Sequence, residues 1–150
     1  MIERYTNPEM GNIWSDQAKY QTWLDVEIAA CEANCKLGKI PQSAMETIRT
    51  KARFKTERIL EIEEEVRHDV IAFLTNVNEY VGDAGRYIHV GMTSSDVLDT
   101  GLALQLKSSV KLLRKELLLL EEAIRDLASQ HKKTVMIGRS HANHGEPSTF

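Results

Sequence analysis

Four of the five histidines in this chain sit in polar islands that interrupt a strongly apolar, helical pattern. Imidazole changes protonation near neutral pH, so each island is a candidate for moving a proton. The first is Arg67-His68-Asp69, which puts a cation, a titratable ring and a carboxylate in consecutive positions. The plainer alternative is a helix break in which Asp69 caps the next helix and the other two side chains meet water. In the second, His89 precedes Thr93-Ser94-Ser95-Asp96 at a predicted helix start. A helix start offers free N–H groups and the positive end of a dipole, and hydroxyls add donors, which suits a carboxylate or a phosphate. The same four residues also read as a capping box with Asp in place of Glu.

The third island runs from Gly138 to Pro147 and holds Arg139, Ser140, His141, Asn143, His144 and Glu146. A loop needs none of these side chains to turn. His141 and His144 have the spacing of a metal pair, but no cluster of Cys or acidic residues supports it, so no metal is expected. His131, at the end of the longest predicted helix, complements the negative end of that helix.

The elements between the islands read as helices. Only Pro8, Pro41 and Pro147 occur, leaving the whole middle of the chain without proline, which favours helix over a turn-rich β fold. A first helix follows Ser15 as N-cap, with Tyr20, Leu24, Ile28, Cys31 and Cys35 on one face. Gly38 and Pro41 end it. A short helix carries Met45 and Ile48 inward. A third, capped by Thr56, carries Ile59, Leu60 and Ile62, with Glu61, Glu63, Glu64 and Glu65 as a solvated face. A fourth follows Asp69 as cap, with Val70, Ile71, Leu74, Val77 and Val81 apolar, and Gly82 and Gly85 close it.

From Thr93 to about Lys132 only Gly101 interrupts the helical pattern, a span of roughly 55 Å at 1.5 Å per residue. Leu102, Leu106, Val110, Leu113, Leu117, Leu120, Ile124 and Leu127 recur along it, and Leu117 to Leu120 are consecutive. A helix apolar on more than one face needs several partners, more than this chain supplies. Thr134 to Ile137 is a short β-like run, and Pro147 suits the first position of a further helix. The chain stops at Phe150 without a cap or tail, and the expectation is a truncated chain.

Composition is that of a soluble globular protein: 42% hydrophobic, 27% charged, formal net charge -3. No basic excess supports nucleic-acid binding. Cys31 and Cys35 lie one helical turn apart, without the partners of a metal site or a disulfide scaffold. The N-terminus lacks a signal peptide's apolar core, and no run is long enough to span a membrane. A cytoplasmic location is expected.

Four segments carry a resemblance. Met1-Ile-Glu-Arg-Tyr5, Arg67-His-Asp-Val70, His89-Val-Gly-Met-Thr-Ser-Ser-Asp-Val97 and Gly138-Arg-Ser-His141 through Phe150 resemble, in order and spacing, the adenylosuccinate lyase family of the fumarase and aspartase superfamily. The similarity continues between them, in Pro8-Glu-Met10 with Trp14 and in Leu60-Glu-Ile62, and covers essentially the whole chain. Ser140-His141-Ala142-Asn143-His144-Gly145 departs from the family's usual Thr-His-Gly-x-His-Ala while keeping the histidine in place.

The resemblance implies an all-α fold: a small N-terminal helical domain, residues 1–92, leading into a long-helix bundle that begins at 93–150. It implies a homotetramer built through that bundle and β-elimination of fumarate from a succinylated nucleotide in purine biosynthesis, with no cofactor. His141 would be the general acid, with His68 its partner at the substrate. Thr93 and Ser94 would hold a succinyl carboxylate. Arg4, Tyr5 and His89 would hold the nucleotide end, and Arg67 and Asp69 would complete the pocket. The family's Ser-rich loop, which supplies the base, lies beyond residue 150. The alternatives are another lyase or cycloisomerase of the superfamily, or a helical assembly module without activity when isolated.

Overall fold

The computed structural model describes residues 2–149. Its contacts divide the chain into two units, Met1–Ser109 and Val110–Phe150.

The first unit is built from helices. A 3-10 turn at Glu3–Tyr5 precedes α1 (Pro8–Ile13), α2 (Asp16–Lys36), α3 (Gln42–Lys51), α4 (Thr56–Val66), α5 (Asp69–Val81), a second 3-10 segment at Gly82–Tyr87, and the start of α6 (Ser94–His131). Local signals set most boundaries. Ser15 caps α2 by accepting from the Ala18 N–H at 3.1 Å, and Gly38, at φ 73°, turns the chain beyond it. Gly82 ends α5 with φ 60°.

Three boundaries differ from the sequence expectation. The short α1, with Asn7 as its cap and Pro8 in its first turn, has too few residues to show periodicity. Lys55 rather than Thr56 flanks α4. Its N–H donates to the buried Asn76 side chain at 2.8 Å, so a tertiary contact replaces a local cap. At α5 the N-cap is His68, not Asp69, which is already helical.

The core gathers Tyr20, Trp23, Leu24, Cys31, Met45, Ile48, Ile59, Ile62, Val70, Phe73, Val77 and Val97. Its aromatic centre has Tyr20 stacked on Phe73 at 6.1 Å, with Trp23 edge-on to Phe73 at 5.6 Å. Leu60 and Ile71, expected on inner faces, are exposed, while Ala72, Phe73 and Asn76 take the buried positions of α5.

Within this unit the long helix buries a stripe that leaves its leucines out. Val97, Gly101, Gln105 and Ser109, four residues apart, form its buried face in this unit. A Cβ on Gly101 would lie 2.8 Å from the Trp23 ring, so only glycine permits this approach. Gln105 donates to the Ile13 carbonyl at 2.8 Å. Leu102, Leu106, Val110, Leu113, Leu117 to Leu120, Ile124 and Leu127 are all exposed.

The second unit ends in an antiparallel hairpin, β1 (Val135–Ser140) with β2 (Asn143–Thr149). The fold is predominantly helical, as expected, with this small sheet added. The third island is therefore a hairpin rather than a loop, and Pro147 pairs with Ile137 in β2 instead of opening a helix. A register shift between Ile137 and Arg139 accompanies that pairing, and proline, having no N–H to give to a ladder, is tolerated at such an irregularity.

Candidate active site

In the first unit the structure sets the expected site residues at three breaks between elements. Arg4 and Tyr5 lie in the first 3-10 turn, both exposed, with the Arg4 guanidinium 4.8 Å from the Tyr5 ring centroid. Arg67, His68 and Asp69 form the α4–α5 break. His89, Thr93 and Ser94 lie between the second 3-10 segment and α6. The hydrogen bonds and ion pairs found among the described residues do not join one of these groups to another.

At the α4–α5 break, Arg67 ends α4 in the left-handed conformation, φ 54°, and His68 is extended. A non-glycine residue held left-handed costs on the order of 1 kcal/mol or more, a cost that surrounding structure has to offset. The His68 Nδ1 accepts the Ile71 N–H at 3.4 Å, a long bond, and lies 3.5 Å from an Asp69 carboxylate oxygen. While Nδ1 accepts, the ring hydrogen is on Nε2. Nδ1 thus faces the start of α5 and the Asp69 carboxylate, and Nε2 has no partner among the described residues.

Thr93 and Ser94 occupy the start of α6. The Thr93 N–H donates to the Asp96 carboxylate at 2.8 Å, the reciprocal half of the expected capping box. Neither hydroxyl has an intramolecular partner among the described residues, and Ser94 is half-buried. This helix end is therefore capped by Asp96 while the two hydroxyls keep their hydrogen-bonding capacity.

His89 is the most constrained of the set. Its backbone is left-handed, φ 67°. Its N–H donates to one Glu27 carboxylate oxygen at 3.0 Å, and its ring Nδ1 meets the other at 2.6 Å. Glu27 is 1% exposed. Burial pushes its carboxyl above the ordinary value, against the opposing pull of the bonds from His89. Two further contacts tie the same connection to α2: the Cys31 thiol to the Tyr87 carbonyl at 3.5 Å, and the Asn34 amide to the Val90 carbonyl at 3.5 Å. Glu27, Cys31 and Asn34 are four and three residues apart, hence on one face of α2. Burial and the nearby Glu27 push the Cys31 thiol up to about 11.

Sequence reasoning missed Glu27. The available signal was a carboxylate at a core step of an apolar stripe, three residues after Leu24 and four before Cys31. Such a charge is almost never fully buried unless paired.

His141 lies in the second unit, at the exposed apex of the hairpin. His141 and Ala142 form its two-residue turn, with φ of 49° and 63°. Two consecutive positive φ values define a turn that normally takes Asn-Gly, so His-Ala here is a strained choice. The hairpin also closes tightly: a Cβ on Gly145 would lie 3.2 Å from the Gly138 carbonyl oxygen. Among the described residues, no group of three or more His, Cys, Asp or Glu side chains is arranged to hold a metal ion. No helix among them is long and apolar enough to cross a membrane.

The helical scaffold is shared with enzymes of known structure. A fumarate lyase from Mesorhizobium superposes with a TM-score of 0.85 at 30% identity, over 96% of this chain and 35% of that one. A 3-carboxy-cis,cis-muconate lactonizing enzyme from Pseudomonas putida superposes with a TM-score of 0.86 at 31% identity, over 97% of this chain and 35% of that one. A family model described as Lyase matches residues 3–150, and the chain belongs to that family. Among its relatives, an adenylosuccinate lyase from Synechocystis is 68% identical over 150 residues, and one from Aquifex aeolicus is 49% identical over 153 residues. In both matches the chain is covered completely and spans 35% of the relative's length.

Proposed function

We propose that this chain is part of an adenylosuccinate lyase, which eliminates fumarate from adenylosuccinate to leave AMP and acts likewise on the related succinylated carboxamide ribotide. The observation that carries the reading is identity along the whole chain with relatives of that name, well above the identity to superfamily members of other names. The location is cytoplasmic and the assembly a homotetramer. The exposed leucines of α6 support assembly, since so large an apolar surface on a soluble chain marks an interface. The domain boundary at 92/93 marks where the bundle begins.

The reaction breaks a C–N bond β to a carboxylate. A base takes the proton from the carbon beside that carboxylate, the electron pair forms the fumarate double bond, and an acid protonates the departing nitrogen. Such acid–base assistance is typically worth ~10²–10⁴-fold in rate. His141 is the acid, carried on a hairpin apex whose strained turn fits a functional demand. His68 is its partner at the substrate, its Nε2 left free by the cap on Nδ1. Thr93 and Ser94 receive a succinyl carboxylate at a helix end that Asp96 already caps. Arg4, Tyr5 and His89 hold the nucleotide end, and Arg67 and Asp69 complete the pocket. Arg4, Arg67 and the α6 dipole supply the local positive field that a net charge of -3 does not.

Fumarate release from adenylosuccinate by the full-length chain tests the reading. His141→Ala is expected to lower turnover far more than substrate affinity, because an acid engages only in the transition state. Turnover within a few-fold of wild type would remove His141 from that role. Residues 1–150 alone are expected to release no fumarate above a His141→Ala control.

A further inference from the structure

We propose that Glu27 is a positioning residue for His89, fixing the imidazole with Nδ1 turned inward so that Nε2 is the atom presented to substrate. The proposal rests on the reading that His89 holds the nucleotide end.

The geometry is that of a two-point clamp. One carboxylate oxygen takes the His89 main-chain N–H at 3.0 Å and the other meets ring Nδ1 at 2.6 Å. The first contact holds a backbone turn that a non-glycine residue adopts at a cost. The second fixes the ring's rotation about its χ angles. Together they leave the side chain one orientation, and Nε2 has no protein partner among the described residues. The ring is partly exposed, 20% for the side chain, whereas the Glu27 side chain is at 2%. The clamp is thus buried and its product faces outward.

The chemistry of the pair sets which ring nitrogen is offered. A buried carboxylate needs a compensating partner, and burial holds the Glu27 carboxyl above its ordinary value while the bonds from His89 oppose that shift. Whichever partner holds the proton between them, Nδ1 is occupied by the carboxylate, and Nε2 is the ring nitrogen left for a substrate group. A second, weaker anchor comes from the same helix face, where Cys31 and Asn34 reach the Tyr87 and Val90 carbonyls on either side of His89.

A merely structural role for Glu27 would staple the connection without regard to the ring, and a double-mutant cycle in the full-length chain separates the two. Glu27→Leu keeps the volume and removes both acceptors. His89→Asn tolerates the left-handed backbone and removes Nε2. Glu27→Gln can still accept from the main-chain N–H and hydrogen-bond Nδ1, which keeps the ring's orientation. The expectation is that Glu27→Leu raises KM for adenylosuccinate about ten-fold with kcat nearly unchanged, that Glu27→Gln restores most of the loss, and that adding Glu27→Leu to His89→Asn changes KM by less than about two-fold. An equal rise in KM in both backgrounds would make Glu27 a structural residue and overturn the proposal. So would wild-type KM in Glu27→Leu while His89→Asn is impaired, an outcome that leaves the role of His89 intact. Wild-type KM in His89→Asn would overturn the reading of His89 and the proposal with it. Should Glu27→Leu fail to fold, Glu27→Asp, which withdraws the carboxylate by one methylene, takes its place in the cycle with the same expected and overturning results.

Discussion

Removing the Ser94 hydroxyl separates what a helix cap does from what a substrate site does. Asp96 already takes the Thr93 N–H at 2.8 Å, and the Ser94 hydroxyl has no intramolecular partner among the described residues. Ser94→Ala therefore deletes no hydrogen bond of the folded chain, and its stability cost falls within about 0.5 kcal/mol. Asp96→Ala removes a charged cap, and its cost is about 1 kcal/mol. If Ser94 donates to a succinyl carboxylate at the α6 dipole, its loss lowers kcat/KM by about ten-fold or more, equivalent to about 1.4 kcal/mol of transition-state binding. Thermal melts and fumarate-release kinetics on the same full-length preparations measure both quantities. The expected pattern is a Ser94→Ala enzyme that melts like wild type and turns over poorly, beside an Asp96→Ala enzyme that melts earlier. A Ser94→Ala enzyme with a large drop in melting temperature and near-normal kcat/KM would refute the reasoning and make the hydroxyl a cap.

Three other outcomes follow from the packing. Gly101→Ala gains about 1 kcal/mol of helix propensity, but its Cβ meets the Trp23 ring at 2.8 Å, and overpacking of that kind costs about 1–3 kcal/mol; denaturant melts should show a net loss, and a stabilised variant would mean that α6 shifts freely. Cys31, buried with its thiol pushed up to about 11, should resist alkylation at pH 8 in the folded chain, because little of it is thiolate. Site mapping by mass spectrometry should find the half-buried Cys35 labelled first, and equal labelling would contradict the burial. Residues 1–150 in isolation should self-associate through the exposed leucines of α6, and light scattering of a clean monomer at high micromolar concentration would contradict that.

Where a signal is local, the sequence shows it. Ser15 capping α2, Gly38 and Gly82 ending helices, and the start of α6 beside Thr93 each depend on a few adjacent residues, and each appears as expected. Where a tertiary partner decides, the pattern misleads. Lys55 starts α4 because Asn76 of α5 takes its N–H. The leucine repeat of α6 shows a helix in need of partners, but not that Gly101 and Gln105 form a separate buried face against Trp23 and Ile13. The hairpin is hidden because His141-Ala142 lacks the Asn-Gly of such a turn. Of the candidate site, the histidines and hydroxyls stand out by type, but Glu27 sits on a core stripe and acquires its meaning only from His89, 62 residues away.

The order of residues along the chain gives the buried core a consequence for synthesis. Its members run from Tyr20 to Val97, so every residue it needs is made before Leu113 to Leu120. Domains fold as units as the chain emerges, N-terminal parts first. The apolar half of α6 therefore leaves the ribosome attached to a chain segment that already holds all of its own core. The leucines are then a sticky surface that the newborn chain has to shield, and the interval that matters for aggregation is the one between their emergence and the arrival of whatever covers them.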